Sequence, residues 1–209
     1  KDWDKYDKIA FLVILIAGVL RISLALFHHV SGDACWQLSN ALYIAQNHEI
    51  PLHEMFGRTE PFWAPPFFHF VVAFFYNIFS VFGGNAALVL IKLVSPLFGI
   101  SFLVFSYLIG KELFNGKVAL YALLFLAVIP VQFDYSIFSY VDGVVGALAV
   151  ASVYFMLKDR YVISAILAGL TILTKYNGIF ILPVLLFIFY YKRESMKDIW
   201  KKLAAFCIV

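Results

Sequence analysis

The 209-residue chain is 63% hydrophobic and 14% charged, a balance that excludes an ordinary soluble domain of this length. The formal net charge of +3 is small and falls in short breaks between apolar runs, so it indicates membrane orientation and not binding to nucleic acid. Two cysteines are too few for a disulfide framework and lack metal-ligand spacing. We therefore expect an all-α polytopic membrane protein surrounded by membrane lipids.

The first apolar run, residues 9–28, is long enough to cross a bilayer, which takes about 20 residues. It is too long for the apolar region of a signal peptide, and Arg21 interrupts it. We predict a membrane anchor that is retained. Two roles stay open for Arg21: a functional cation, or pairing with polar groups of a neighbouring helix.

A long polar stretch, residues 31–66, follows the first run. The sequence predicts a short amphipathic helix over residues 33–47, in which Gln37, Asn40 and Asn47 lie away from the apolar face. Residues 49–64 contain two prolines, one glycine and no clear period, which is typical of a loop.

The later apolar runs fix the predicted topology. If residues 65–82 crossed the membrane, the basic breaks from Lys111 onward would lie outside, against the positive-inside rule. That run starts with a proline pair and carries polar residues at helical spacing, so we predict an interfacial helix. An external loop with interfacial helices then occupies residues 29–85. The seven predicted spans are residues 9–28, 86–110, 118–139, 143–157, 161–174, 177–191 and 199–209.

Asp33 opens the polar stretch directly after the first span. One role is the N-cap of the following helix, where a carboxylate accepts a backbone N–H and meets the positive end of the helix dipole. The other is a catalytic base just above the membrane, where a lipid-linked donor and a hydroxyl or amine acceptor could meet. The two roles are compatible.

Four segments in the correct order resemble one superfamily of membrane glycosyltransferases, GT-C. The first is a span with an Arg near its outer half, followed by an Asp that opens an external loop and by the pattern F-x-x-P-P-F before an apolar helix. The resemblance extends to the branch that includes protein O-mannosyltransferases and the transferase that adds aminoarabinose to lipid A. It implies a seven-helix module over residues 1–209, with juxtamembrane helices in the first external loop. The later matching segments are AALVLIKLVSPLFGISFLVFSYLIGKELFNGK, SIFSYVDGVVGALAVASVYFML and AGLTILTKYNGIFILP.

The resemblance implies an inverting enzyme that moves a sugar from a polyprenyl-phosphate donor to a hydroxyl of a protein or lipid acceptor. Asp33 stands at the position of the family's catalytic acid and would deprotonate the acceptor. The lipid phosphate that leaves calls for cations, and the candidates are Arg58, Lys92 and Lys175. The residues expected to support this site are Glu60, His69, Asp142, Tyr176 and Asn177.

Each of these residues also has a simpler interpretation. The simpler interpretation of Lys92 is that its ammonium extends to the membrane interface and has no further role. Against it, a basic group within a span costs roughly 2.5–3.5 kcal/mol near the centre of the span. Lys175 has the same alternatives, and Tyr176 and Asn177 break the helix where a phosphate could approach. Asp142 is either an N-cap of the fourth span or part of the donor network.

The sequence also departs from the superfamily. Many GT-C enzymes carry a second acid beside the first, but Asp33 is followed by Ala34 and Cys35. We therefore predict no metal site and no cofactor, although the sequence alone leaves a divalent metal open. Lys92 stands where relatives usually carry Arg, and Trp63 begins the pair that replaces the Glu-Lys of the lipid A branch.

A non-enzymatic transporter or lipid-binding protein is the alternative, with Arg21 and Lys92 along a pathway. Transporters often have inverted repeats and paired broken helices, whereas this chain has one broken segment, residues 174–178. We favour the enzyme, in a prokaryotic plasma membrane with its active site on the external face. The chain lacks an initial Met and stops within an apolar run, so we expect a fragment that is inactive if helices completing the donor cavity are missing.

Overall fold

The computed structural model describes residues 3–54 and 61–192. Arg58, Glu60 and the predicted span 199–209 lie outside these ranges. The regular structure of the described part is helical, and the fold is an all-α bundle. Its α-helices are α1 (Lys5–Phe27), α2 (Asp33–Asn47), α3 (Phe67–Phe79), α4 (Gly84–Leu90), α5 (Val94–Leu113), α6 (Gly116–Val128), α7 (Pro130–Tyr135), α8 (Val141–Leu157), α9 (Tyr161–Thr174) and α10 (Ile181–Tyr191).

Two of the predicted apolar runs are interrupted in the structure. The run 118–139 is divided between α6 and α7, because Pro130 has no N–H with which to continue the first helix. The run 177–191 starts with a 3₁₀ segment, Tyr176–Phe180, before α10. By contrast, the helix over residues 33–47 and the run 161–174 coincide with α2 and α9.

Two helical segments among the described residues are long and apolar enough to cross a membrane. They are Lys5–Phe27, with 23 residues, and Gly84–Leu113, with 30 residues. The second combines α4, a 3₁₀ turn over Ile91–Leu93, and α5. The shorter apolar helices have 10–17 residues, less than the roughly 20 that a span requires. That these also cross the bilayer remains a prediction.

Helix α5 lies at the centre of the bundle and packs against α1, α6 and α8, while α8 also packs against α9 and α10. Small residues permit close contact between these helices. A Cβ on Gly110 of α5 would lie 3.0 Å from Cα of Ala119 in α6. Between α8 and α9, the hydroxyls of Ser152 and Ser164 each donate to the other's backbone carbonyl.

Arg21 is fully buried and holds α1 against the break between α6 and α7. Its guanidinium donates to Oγ of Ser136 at 2.9 Å, to Oε1 of Gln132 at 2.6 Å and to the carbonyl of Ala127 at 2.9 Å. That carbonyl is one of those left free where α6 ends. The structure thus shows the pairing alternative for Arg21.

The two ends of the bundle differ in chemistry. At one end, the start of α1 contacts the end of α5, and the turn between α8 and α9 also contacts the end of α5. At the other end α1 and α9 finish and α8 begins, with the ring of His28 4.3 Å from that of Phe138. The segment that follows α1, the segment that precedes α8 and the break after α9 lie at this second end. The first end, where the basic turns lie, is stabilised by the ion pairs Lys111–Asp7, Lys158–Glu112 and Lys192–Asp159.

Candidate active site

A cavity of about 700 Å³ lies at the end of the bundle opposite the basic turns. Helices α2 and α3, which pack together, form one wall. The start of α8 and the break after α9 form another, and the chain before α3 contributes the rest. The predicted site residues that line this cavity are Asp33, His69, Asp142, Lys175, Tyr176 and Asn177.

Asp33 is the first residue of α2, and its exposed carboxylate lines the cavity. The N-cap is Gly32, at φ 57°, a left-handed conformation that glycine adopts without strain. No side chain caps this helix, so the N-cap interpretation of Asp33 is wrong. The carboxylate instead lies beside the positive end of the helix dipole and is open to a ligand.

Lys175 and Asp142 form an ion pair across the second wall. Helix α9 ends at Thr174, and Lys175 is extended, with φ −156° and ψ 136°. Its Nζ lies 2.7 Å from Oδ1 of Asp142, in the first turn of α8. The N-cap of α8 is Tyr140, without a side-chain hydrogen bond, so the N-cap interpretation of Asp142 is also wrong.

The break after α9 is tightly packed, which fixes the position of the ion pair. A Cβ on Gly178 would lie 2.5 Å from the carbonyl oxygen of Thr171, so the chain can turn back here only with glycine. The hydroxyl of Tyr176 donates to the carbonyl of Trp63 at 2.9 Å. This bond joins the break to the chain segment that leads into α3.

Aromatic side chains that sequence reasoning did not select also line the cavity. The rings of Trp36 and Trp63 stack with centroids 6.2 Å apart and planes at 27°. Trp63 donates its indole N–H to Glu54. Spacing could have found Trp36, because residues three and four positions after Asp33 share its face of the helix.

Gln37 and Asn40 correct the predicted orientation of α2. Of the three residues predicted to lie away from the packed face, Asn47 is exposed as expected, but Gln37 and Asn40 are buried. The reason is that α2 is covered on more than one side. Leu38 and Ala41 pack into the apolar core with α3, α5 and α8, while Gln37 lines the cavity.

His69 is fully buried in the wall formed by α2 and α3. Burial lowers the pKa of His69 to about 4, and the backbone of Pro65, which favours the protonated ring without meeting the geometry of a hydrogen bond, opposes this shift only in part. The imidazole is therefore neutral at physiological pH. Neither ring nitrogen has a hydrogen-bond partner among the described residues. The ring is surrounded by aromatic side chains, with Phe62 at 5.4 Å and Trp36 at 6.1 Å between centroids.

Lys92 is the predicted cation that the structure places elsewhere. Its Nζ donates to the carbonyls of Leu26 and His28, both at 2.9 Å. These belong to the carbonyls left free at the C-terminus of α1. Lys92 therefore caps α1 and does not line the cavity. Arg58 and Glu60 lie outside the described residues.

Metal ligands were not expected, and residues 3–54 and 61–192 contain no group of three or more His, Cys, Asp or Glu side chains that could hold a metal ion. Independence from metal stays a prediction, because the remaining residues could contribute ligands.

Comparison with known proteins gives one family. The sequence model of the dolichyl-phosphate-mannose-protein mannosyltransferase family matches residues 64–209. The match includes α3 through α10, and with them Asp142 and Lys175, but begins after Asp33. There is no significant match among curated proteins or among solved structures.

Proposed function

Because the chain belongs to the dolichyl-phosphate-mannose-protein mannosyltransferase family of membrane glycosyltransferases, we propose that it transfers a sugar from a polyprenyl-phosphate donor to a hydroxyl of a protein or lipid acceptor. The observation that carries the proposal is the cavity in which an exposed carboxylate, Asp33, and an ammonium, Lys175, line different walls. A base and a cation are the two groups that this transfer needs.

In the proposed step, the acceptor oxygen attacks the anomeric carbon while the bond from that carbon to the phosphate oxygen breaks. Asp33 takes the proton of the acceptor hydroxyl, and the electron pair of the broken bond stays on the polyprenyl phosphate. A single displacement of this kind inverts the anomeric configuration. The carboxylate of Asp33 thus becomes a neutral carboxylic acid, and the departing polyprenyl phosphate gains one negative charge.

Lys175 is the proposed partner of the departing phosphate. Its ammonium has three donors, and the ion pair with Asp142 uses one of them. The cation therefore stays available at a fixed place, which favours stabilisation of charge that develops in the transition state. Arg58 remains a proposed second cation, and Glu60 a supporting residue, on sequence grounds alone.

We place the reaction on the external face of the membrane. The support is the position of the cavity at the end opposite the basic turns, since basic loops favour the cytoplasmic side. A prokaryotic plasma membrane stays an expectation from the sequence. The transporter alternative loses its support, because Arg21 and Lys92 are bonded to protein groups and neither lines the cavity.

The test is Asp33→Asn in the full-length protein, reconstituted with a polyprenyl-phosphate sugar donor. We expect transfer to fall by roughly 10²- to 10⁴-fold, the usual effect of losing a general base, with donor binding largely retained. Asp134→Asn is the matched control, because Asp134 is also an exposed acid but does not line the cavity. Undiminished transfer by the Asp33 variant would overturn the assignment of the base.

A further inference from the structure

Polar atoms without partners are concentrated in the wall formed by α2 and α3. Buried and unpaired in the described structure are Nε1 of Trp36, Oε1 of Gln37 and both ring nitrogens of His69. All three side chains line the cavity. Each unpaired buried group costs about 1–3 kcal/mol, so folding alone does not explain why three neighbouring residues carry them.

The chemistry of these atoms selects a kind of ligand. An indole N–H only donates, an amide oxygen only accepts, and a neutral imidazole does one of each. A phosphate would need donors throughout, and an ammonium would need acceptors throughout. A ligand with several hydroxyls satisfies both kinds, because each hydroxyl donates and accepts.

Aromatic surfaces complement these polar atoms. The indole of Trp36 stacks on the exposed indole of Trp63 and meets His69 edge to face, at 85°. A pyranose or furanose ring has an apolar C–H face and a rim of hydroxyls, which suits an apolar aromatic surface bordered by donors and acceptors.

Spacing along α2 puts this wall beside the proposed base. Trp36 and Gln37 come three and four residues after Asp33, so both share its helix face and lie about one turn, roughly 5.4 Å, from it. The proposed phosphate partner, Lys175, is on the other wall.

We propose that Trp36, Gln37 and His69 form the subsite that holds the sugar of the donor, with Gln37 and His69 selecting its hydroxyls. This subsite rests on the proposed glycosyl transfer. The sugar face packs on Trp36 in place of the Trp63 indole, and the sugar hydroxyls then pair with the unpaired atoms. The lipid phosphate then points to Lys175, and the anomeric carbon lies between Lys175 and Asp33.

The experiment uses the full-length protein in lipid nanodiscs and polyprenyl-phosphate donors of mannose, glucose, galactose and arabinose. For the sugar that the wild type transfers, each monodeoxy donor is then compared with the parent by kcat/KM. We expect kcat/KM for at least one deoxy donor to be lower by on the order of 10- to 100-fold, because loss of the sugar hydroxyl leaves a buried protein group unpaired. In Gln37→Leu or His69→Leu, the corresponding parent-to-deoxy ratio should fall toward one.

Asn40→Leu is the matched control. Asn40 is on the same helix and also has a buried unpaired oxygen, but it does not line the cavity, so its variant should keep the wild-type ratio. The ratio of two donors is independent of the folded fraction, so a destabilised variant still gives an answer. Absence of discrimination by the wild type, or unchanged ratios in both cavity variants, would overturn the subsite and leave transfer standing. Absence of transfer from every donor would overturn the proposed function and the subsite with it.

Discussion

The ammonium of Lys175 lies 2.7 Å from Oδ1 of Asp142, and this contact joins the break after α9 to the first turn of α8. Lysine has a flexible stem, so a fixed acidic partner determines where its charge lies in the cavity. In the proposed enzyme, Asp142 is thus a positioning residue that acts through Lys175.

Loss of the Lys175 charge should weaken catalysis more than loss of its acidic partner. For Lys175→Met we expect kcat/KM for the donor to fall by roughly 10²-fold, because a group that stabilises developing charge is removed. For Asp142→Asn we expect a smaller fall, on the order of 10-fold, since the ammonium remains but is less well placed. Steady-state transfer rates of the full-length variants measure both.

The double variant and a control pair decide whether Asp142 acts through Lys175. If it does, adding Asp142→Asn to Lys175→Met should change little further. The pair Lys158–Glu112 is the control, with side chains exposed by 41% and 38%, close to the 39% and 36% of Lys175 and Asp142. Lys158→Met should retain wild-type transfer. Additive losses in the double variant would contradict the positioning role.

Lys92 should affect stability and not donor binding. Lys92→Met leaves the carbonyls of Leu26 and His28 without their donor, which should reduce stability by about 1–3 kcal/mol. Thermal unfolding in detergent should show a Tm lower by several degrees, while the donor KM of the protein that remains folded is unchanged. Lys92→Arg should recover most of the loss. A raised donor KM at unchanged Tm would instead identify Lys92 as a phosphate ligand.

His69 should make the fold sensitive to acid. Its folded pKa is about 4, below the unperturbed value of about 6.5, so the unfolded state binds the proton first as pH falls. The free energy of unfolding is therefore at its full value above pH ~6.5 and decreases toward pH ~4, by roughly 3 kcal/mol in total. Tm measured between pH 7 and pH 4 should decline less steeply in His69→Leu than in the wild type. Parallel declines would show that His69 is not the responsible group.

Cysteine labelling tests the orientation of the cavity. After replacement of Cys35 and Cys207, Leu52→Cys and Lys117→Cys each place one thiol at an exposed position near opposite ends of the bundle. A membrane-impermeant maleimide should label position 52 in intact cells, and position 117 only after permeabilisation. The reverse pattern would put the cavity on the cytoplasmic face, and labelling of both positions would contradict their placement on opposite sides.

The chain's local pattern was sufficient for most helices. Amphipathic spacing located α2, and an apolar run bounded by charged residues located α9, because helix formation and burial follow the pattern of apolar residues over a window. The break at residues 174–178 was also visible, since Lys175 and Gly178 interrupt an apolar run. The family resemblance pointed to Asp33, which the structure puts in the cavity.

What the sequence by itself determined is therefore the all-α membrane class and the order of the helices, while the membrane side of the basic turns stays a prediction. The tertiary structure decided the partners. Lys92 and Lys175 both follow apolar helical segments, yet one ammonium reaches the free carbonyls of α1 and the other a carboxylate of α8. Hydropathy predicts whether a helix enters the membrane, whereas the hydrogen-bond partners of its side chains depend on which helix lies beside it and at what depth. For that reason the aromatic and unpaired polar wall around Trp36 became visible only once α2 and α3 were packed together.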